Sequence, residues 1–120
     1  MFSIRVSATF NATHAVMING IDEAPHSHEW EVFVVLEGNS LNKDGVLIDF
    51  IDVERFLAEI LEPLTDSNLN NIETLGGENP SAERVALYVG DAMQAKMHGT
   101  VRVQSVTITE APNCQATYTL

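Results

Sequence analysis

A chain of 120 residues with 45% hydrophobic and 19% charged residues has the size and composition of one soluble globular domain, expected over residues 1–120. Its formal net charge is −11, with six Lys and Arg against 17 Asp and Glu, which argues against a nucleic-acid partner and against an anionic membrane surface. One cysteine, Cys114, rules out an intrachain disulfide, and no apolar run approaches the roughly 20 residues needed to span a bilayer, so a cytoplasmic protein is expected.

Residues 3–14 alternate. Val6, Ala8, Phe10, Ala12 and His14 share one face, and Arg5, Ser7, Thr9, Asn11 and Thr13 share the other, the period of a half-buried strand. Residues 15–25 hold Asn19-Gly20, two acids and Pro25, and are expected to form a loop. Residues 26–38 form a second strand, with His28, Trp30, Val32, Val34 and Leu36 on one face. Asp49 caps a helix whose apolar positions are Val53, Phe56, Leu57, Ile60 and Leu61, ending near Pro63. Residues 65–80 form a long irregular connection. Asn79-Pro80 reads as the next start signal, Asn79 as cap and Pro80 in the first turn. Val85, Leu87, Tyr88, Ala92 and Met93 fill this second helix, which ends near His98-Gly99. Residues 101–110 and 114–120 are two more strands. The order ββααββ predicts an α+β fold: a four-stranded antiparallel sheet with two antiparallel helices on one face.

Three of the four histidines form a constellation. His26 and His28 are two apart, so on a strand both leave the same face, the face that continues into Trp30. His14 ends the face of Phe10 and Ala12. Antiparallel pairing of the first two strands brings all three imidazoles to one rim of the covered side. Three histidines with an open fourth position suit a catalytic zinc. An H-x-H pair also serves as a surface or capping element, so spacing alone leaves both roles open. His98 follows a helix and reads as a partner of its C-terminal dipole.

These residues sit in a wider pattern. Phe10-Asn11-Ala12-Thr13-His14, Pro25-His26-Ser27-His28, Gly45 to Phe50, Leu64 to Asn70, Glu78-Asn79-Pro80-Ser81-Ala82-Glu83 and Ile108-Thr109-Glu110 occur in that order. Together they resemble the motifs F-x-A-x-H, H-G-H, G-x-x-x-D-F, L-D-H-x-x-L-N, E-N-P-T-x-E and x-x-E of the 6-pyruvoyl tetrahydropterin synthase family, which includes the bacterial 6-carboxy-tetrahydropterin synthases. The resemblance implies the T-fold, self-association as a trimer or hexamer with sites at subunit interfaces, and a Zn2+ ion on His14, His26 and His28. It implies that Glu110 anchors a dihydropterin by accepting two hydrogen bonds from its amino-pyrimidine edge. Ser81 and Glu83 are further substrate contacts on this pattern, although an acid in a first helical turn is favoured by the dipole alone.

The chain departs from the family at its proton relay. The family's cysteine stands four residues before the first histidine of H-G-H, where this chain has Asp22, and Cys114 does not match it. The Asp-His pair of the L-D-H motif is replaced by Thr65 and Asp66. Glu23, three residues before His26, matches a subgroup that carries glutamate in place of the cysteine and gives 6-hydroxymethyl-dihydropterin. Glu23 is the expected general base, with Asp66 assisting. The function implied is a zinc-dependent lyase acting on the side chain of 7,8-dihydroneopterin triphosphate or a related dihydropterin. A net charge of −11 repels a polyanion at long range, which points to a less phosphorylated pterin or to a local patch at a subunit interface. The alternatives are a catalytically impaired pterin-binding homologue and a purely structural zinc assembly.

Overall fold

The computed structural model describes residues 1–75 and 79–120. Glu78 of the expected E-N-P motif lies outside the described residues. The chain runs β1 (Phe2–His14), β2 (Met17–Ile18), β3 (Ile21–Asp22), β4 (His26–Gly38), α1 (Phe50–Leu61), β5 (Ser67–Asn68), α2 (Ala82–Ala95), β6 (Arg102–Ala111) and β7 (Cys114–Thr119). Short 3-10 turns lie at Glu62–Leu64, Leu69–Asn71 and Glu73–Leu75.

The main sheet has the order β5-β1-β4-β6-β7. β1 and β4 pair antiparallel over their whole length, from Phe2 opposite Gly38 to His14 opposite His26. Alternation does the rest: Val6, Phe10, Ala12 and His14 are buried on β1, and Trp30, Val32, Val34 and Leu36 on β4. α1 buries Val53, Leu57, Ile60 and Leu61 against this face, and α2 buries Val85, Ala86, Val89, Gly90 and Met93. Trp30 is fully buried, stacks on Phe10 with ring centroids 5.9 Å apart, and donates its indole N–H to Ala12 O at 3.2 Å. Burying such a ring stabilises the fold by about 1.5–3 kcal/mol. The opposite face of β1 carries Arg5, Ser7, Thr9 and Asn11 in the open.

The α+β architecture of sheet and two helices is as expected, with three differences. The sheet has five strands, because Ser67–Asn68 adds a short parallel edge beside Ala12 and Thr13. The expected loop 15–25 contains the hairpin β2–β3. Its turn, Asn19-Gly20, has φ of 53° and 76°, the left-handed pair that a tight two-residue hairpin needs. α2 is capped by Ser81, whose Oγ accepts from Arg84 N–H at 3.2 Å, and not by Asn79. It also ends at Ala95 rather than near His98. Asp49 caps α1 as expected, accepting from Ile51 N–H at 2.9 Å. Among the described residues no helix is long and apolar enough to cross a membrane.

Candidate metal centre

The register of β1 and β4 sets the centre. His14 lies opposite His26, and Ala12 opposite His28, so the three rings leave neighbouring positions on one face. Their centroids are 4.5–5.5 Å apart and their planes nearly perpendicular. One ligand atom each from His14, His26, His28 and Glu110 lies within 4.8 Å of all the others.

The hydrogen bonds decide which atoms point inward. His14 Nδ1 is 2.8 Å from Pro80 O, and His26 Nδ1 is 3.0 Å from Ala24 O. A carbonyl oxygen only accepts, so both Nδ1 atoms carry the hydrogen in the neutral rings. Each Nε2 then presents a lone pair, and the two Nε2 atoms face each other at 3.0 Å. Glu110 Oε1 lies 2.5 Å from His14 Nε2 and 3.7 Å from His28 Nε2. Acceptors crowded in this way repel unless a proton or a cation sits among them. Two ligands on one tetrahedral zinc, each at about 2.0–2.2 Å from it, are about 3.3–3.6 Å apart. The observed separations lie on both sides of that value, so the donor set suits a cation of the size and ligand preference of zinc. Carbonyl partners on Nδ1 are the usual outer shell that fixes a histidine ligand's tautomer.

The environment of His28 disfavours its charged form. Burial, helped by His26, lowers the pKa of His28 from the ordinary 6.5; His14 acts the same way, while Glu110 and Glu23 oppose it. His14 itself is buried, with Trp30 edge-on at 4.7 Å.

Glu110 reaches the cluster from a bulge. The β6–β7 register shifts between Thr109 and Ala111, and bulges of this kind re-aim a side chain beside a site. Expected as a pterin anchor, Glu110 here stands among the ligand atoms.

Glu23 belongs to the same region. Its Oε1 is 3.7 Å from His26 Nε2 and accepts from Val16 N–H at 3.0 Å. An open pocket of about 640 Å³ is lined by the three histidines, Glu23, Glu110, Ser81, Glu83, Arg84 and Cys114. Ser81 and Glu83, the expected substrate contacts, both line it. Asp66 does not. It is exposed in a left-handed conformation (φ 55°) and lines a separate concavity with Asn11, Thr13 and Ser27 on the opposite face of β1 and β4. Within one chain it cannot assist Glu23. His98 also lies elsewhere, exposed beside Asp49 and Asp52.

Several contributors carry no sequence signal of their role. Cys114 starts β7, and the tight β6–β7 turn returns it to the pocket wall. Among the described residues Arg84 is the only Lys or Arg in that wall. Asn70 and Asn79 stand in the sequence as a motif position and a helix cap; in the fold both bond the segment that follows His14.

Comparison with known proteins bears on the family and the fold. The sequence profile described as 6-pyruvoyl tetrahydropterin synthase matches residues 3–120. A dihydroneopterin monophosphate aldolase from Pyrococcus furiosus is 30% identical over 103 residues, 86% of this chain and 84% of that protein. The structure of Caenorhabditis elegans 6-pyruvoyl tetrahydropterin synthase superposes with a TM-score of 0.84 at 20% identity, over 99% of this chain and 95% of that one. A Plasmodium vivax 6-pyruvoyltetrahydropterin synthase, solved as a variant with its catalytic glutamate changed to alanine, gives 0.80 at 18% identity, over 98% and 96%. These two structures share the fold.

Proposed function

The chain belongs to the 6-pyruvoyl tetrahydropterin synthase family, a family that processes pterins, and we propose that it is a zinc-dependent lyase that breaks a carbon–carbon bond in the side chain of a dihydroneopterin. The observation that carries this reading is the convergence of one ring nitrogen each from His14, His26 and His28 beside the Glu23 carboxylate in one open pocket. Zinc on those three nitrogens supplies Lewis-acid polarisation of a substrate oxygen.

The chain's own residues do the rest. Glu23 takes the proton from the hydroxyl of the leaving carbon as the bond to the pterin-bearing carbon breaks. The bond's electron pair passes into the ring imine, and the pterin-bearing carbon then takes up a proton. The products are an aldehyde and a 6-hydroxymethyl-dihydropterin. A glutamate suits this proton transfer, and the Plasmodium vivax relative is described as having a catalytic glutamate. Glu110 accepts from the amino-pyrimidine edge, and Ser81 and Glu83 contact the substrate from the start of α2. Self-association as a trimer or hexamer, with the site completed between subunits, is part of the proposal, as is a cytoplasmic setting.

The charge of the pocket bears on the substrate. Arg84 shares the pocket wall with three carboxylates, Glu23, Glu83 and Glu110. One cation suits one phosphate better than three, and the Pyrococcus furiosus relative is named for a monophosphate. We therefore assign dihydroneopterin monophosphate ahead of the triphosphate.

A second reading, a pterin-binding homologue without turnover, is favoured by the separation of Asp66 from the histidines. One experiment divides them. The zinc-loaded protein is incubated with dihydroneopterin, its monophosphate and its triphosphate, and products are followed by chromatography beside Glu23→Gln. Release of 6-hydroxymethyl-dihydropterin that Glu23→Gln abolishes supports the lyase. Pterin binding with no product from any of the three supports the second reading.

A further inference from the structure

The three residues after His14 have every backbone hydrogen-bonding group engaged, and none by a regular strand ladder. Ala15 N–H donates to Asn70 Oδ1 at 2.8 Å, and Ala15 O accepts from Asn70 Nδ2 at 2.8 Å. Met17 N–H donates to Asn79 Oδ1 at 2.8 Å, and Met17 O accepts from Asn79 Nδ2 at 2.8 Å. Between them, Val16 N–H donates to Glu23 Oε1 at 3.0 Å, and Val16 O accepts from Glu23 N–H at 3.1 Å. Each asparagine amide thus acts as one residue of an antiparallel pair. A reciprocal pair of bonds fixes the rotation of a peptide as well as its distance.

Burial contributes little to this strap. Ala15 and Val16 are half-buried, and Met17 and the following Ile18 are at least half exposed, so the hydrogen bonds chiefly set its position. The anchors themselves are well founded. Asn70 sits in the turn of Leu69–Asn71, whose Leu69 is buried and whose Asn68 side chain accepts from Asn70 N–H. Asn79 precedes Pro80, whose carbonyl holds His14 Nδ1. One dipeptide, Asn79-Pro80, therefore holds both the ring of a metal ligand and the strap that carries the Glu23 contact.

We propose that Asn70 and Asn79 are positioning residues that clamp Ala15–Met17 and so fix the Glu23 carboxylate against the histidine cluster; this rests on the reading of Glu23 as the proton-transfer group. With Oε1 held by Val16, the carboxylate keeps its other oxygen for the substrate. Without the clamps Val16 N–H moves, and Glu23 loses its fixed distance from His26.

The test uses the full-length, zinc-loaded chain with dihydroneopterin monophosphate. Asn70→Ala, Asn79→Ala and the isosteric Asn79→Asp, which sets a carboxylate against Met17 O, each lower kcat about 10- to 100-fold with KM little changed, the cost of a misplacement near 1 Å. Zinc affinity from chelator competition stays at the parent value. Amide hydrogen exchange speeds up at Ala15, Val16 and Met17 but not at Val32 or Val34. In a Glu23→Gln background, Asn79→Ala still speeds exchange at Met17 but adds no further loss of turnover, since both changes remove one function. Full turnover by Glu23→Gln would sink the reading of Glu23 itself. Loss of turnover in Glu23→Gln, with parent kcat and parent exchange at Val16 in the asparagine variants, overturns the clamp alone. So does faster exchange throughout the sheet, which marks a folding defect.

Discussion

His14 Nε2 and His26 Nε2 lie 3.0 Å apart, and each ring has given its Nδ1 hydrogen to a backbone carbonyl. Two neutral imidazoles so arranged aim lone pairs at each other. The arrangement is stable when a cation is shared, and a metal-free chain relieves it only by taking up a proton or by moving a ring. Zinc addition is therefore expected to raise the melting temperature. Free zinc at 100 times its Kd adds about 2.7 kcal/mol. His14→Ala and His26→Ala abolish the shift, as calorimetry with and without a chelator will read. An equal shift in both variants places the metal elsewhere.

The pH dependence follows from His28. Burial first, then His26, lowers its pKa in the folded chain, below the 6.5 of the unfolded one. Between those two values the unfolded state binds more protons, so stability rises with pH through that window. The contribution is complete above pH 6.5 and is lost as pH falls through the folded pKa. Denaturant titrations of metal-free protein from pH 7.5 to 5 should show the parent losing stability relative to His28→Gln. A parent that gains on the variant toward pH 5 contradicts the assignment.

Gly90 gives a packing prediction. A Cβ there would stand 2.7 and 3.0 Å from two ring carbons of Tyr118, and 3.3 Å from Leu120. Tyr118 cannot swing aside freely, because its hydroxyl donates to Asp91 Oδ1 at 3.0 Å. Alanine gains about 1 kcal/mol of helix propensity over glycine. Overpacking costs about 1–3 kcal/mol. The clash wins, and Gly90→Ala should lower the melting temperature. Restoring space with Tyr118→Ala in the same chain should make the Gly90→Ala change neutral or favourable.

The parts of the molecule legible in its sequence are those set by a short period. Alternation along residues 3–14 and 26–38 put His14, His26 and His28 on one face, and antiparallel pairing then left them no other meeting point. What escaped was decided by single hydrogen bonds across long separations. Asn79 and Ser81 are both good cap residues. Only the distant Met17 backbone, which occupies both ends of the Asn79 amide, leaves the cap to Ser81. Ser67–Asn68 pairs with β1 through backbone alone, so no side-chain pattern announces it. Asp66 is adjacent to that edge, and its left-handed turn sends it to the far side of the sheet. Asn19-Gly20 is a hairpin signal, but strands of two residues carry no period to read.

Glu110 offers the sharpest remaining prediction, because two roles compete for it. As the pterin anchor it needs both oxygens as acceptors; as a neighbour of His14 Nε2 it is also close enough to complete a coordination sphere. Glu110→Gln keeps the shape and removes the charge. Its amide nitrogen would meet the donor edge of the pterin, losing a charged hydrogen bond worth about 1.5–3 kcal/mol, or about 10- to 150-fold in affinity. The three histidines remain, so zinc binding should change far less than pterin binding. Titration of the zinc-loaded variant with a fluorescent oxidised pterin, beside chelator competition for zinc, separates the two. Pterin affinity lost with zinc affinity kept makes Glu110 the anchor. The reverse pattern makes it a fourth ligand, and the pterin must then be held by Glu83 and Ser81 at the start of α2.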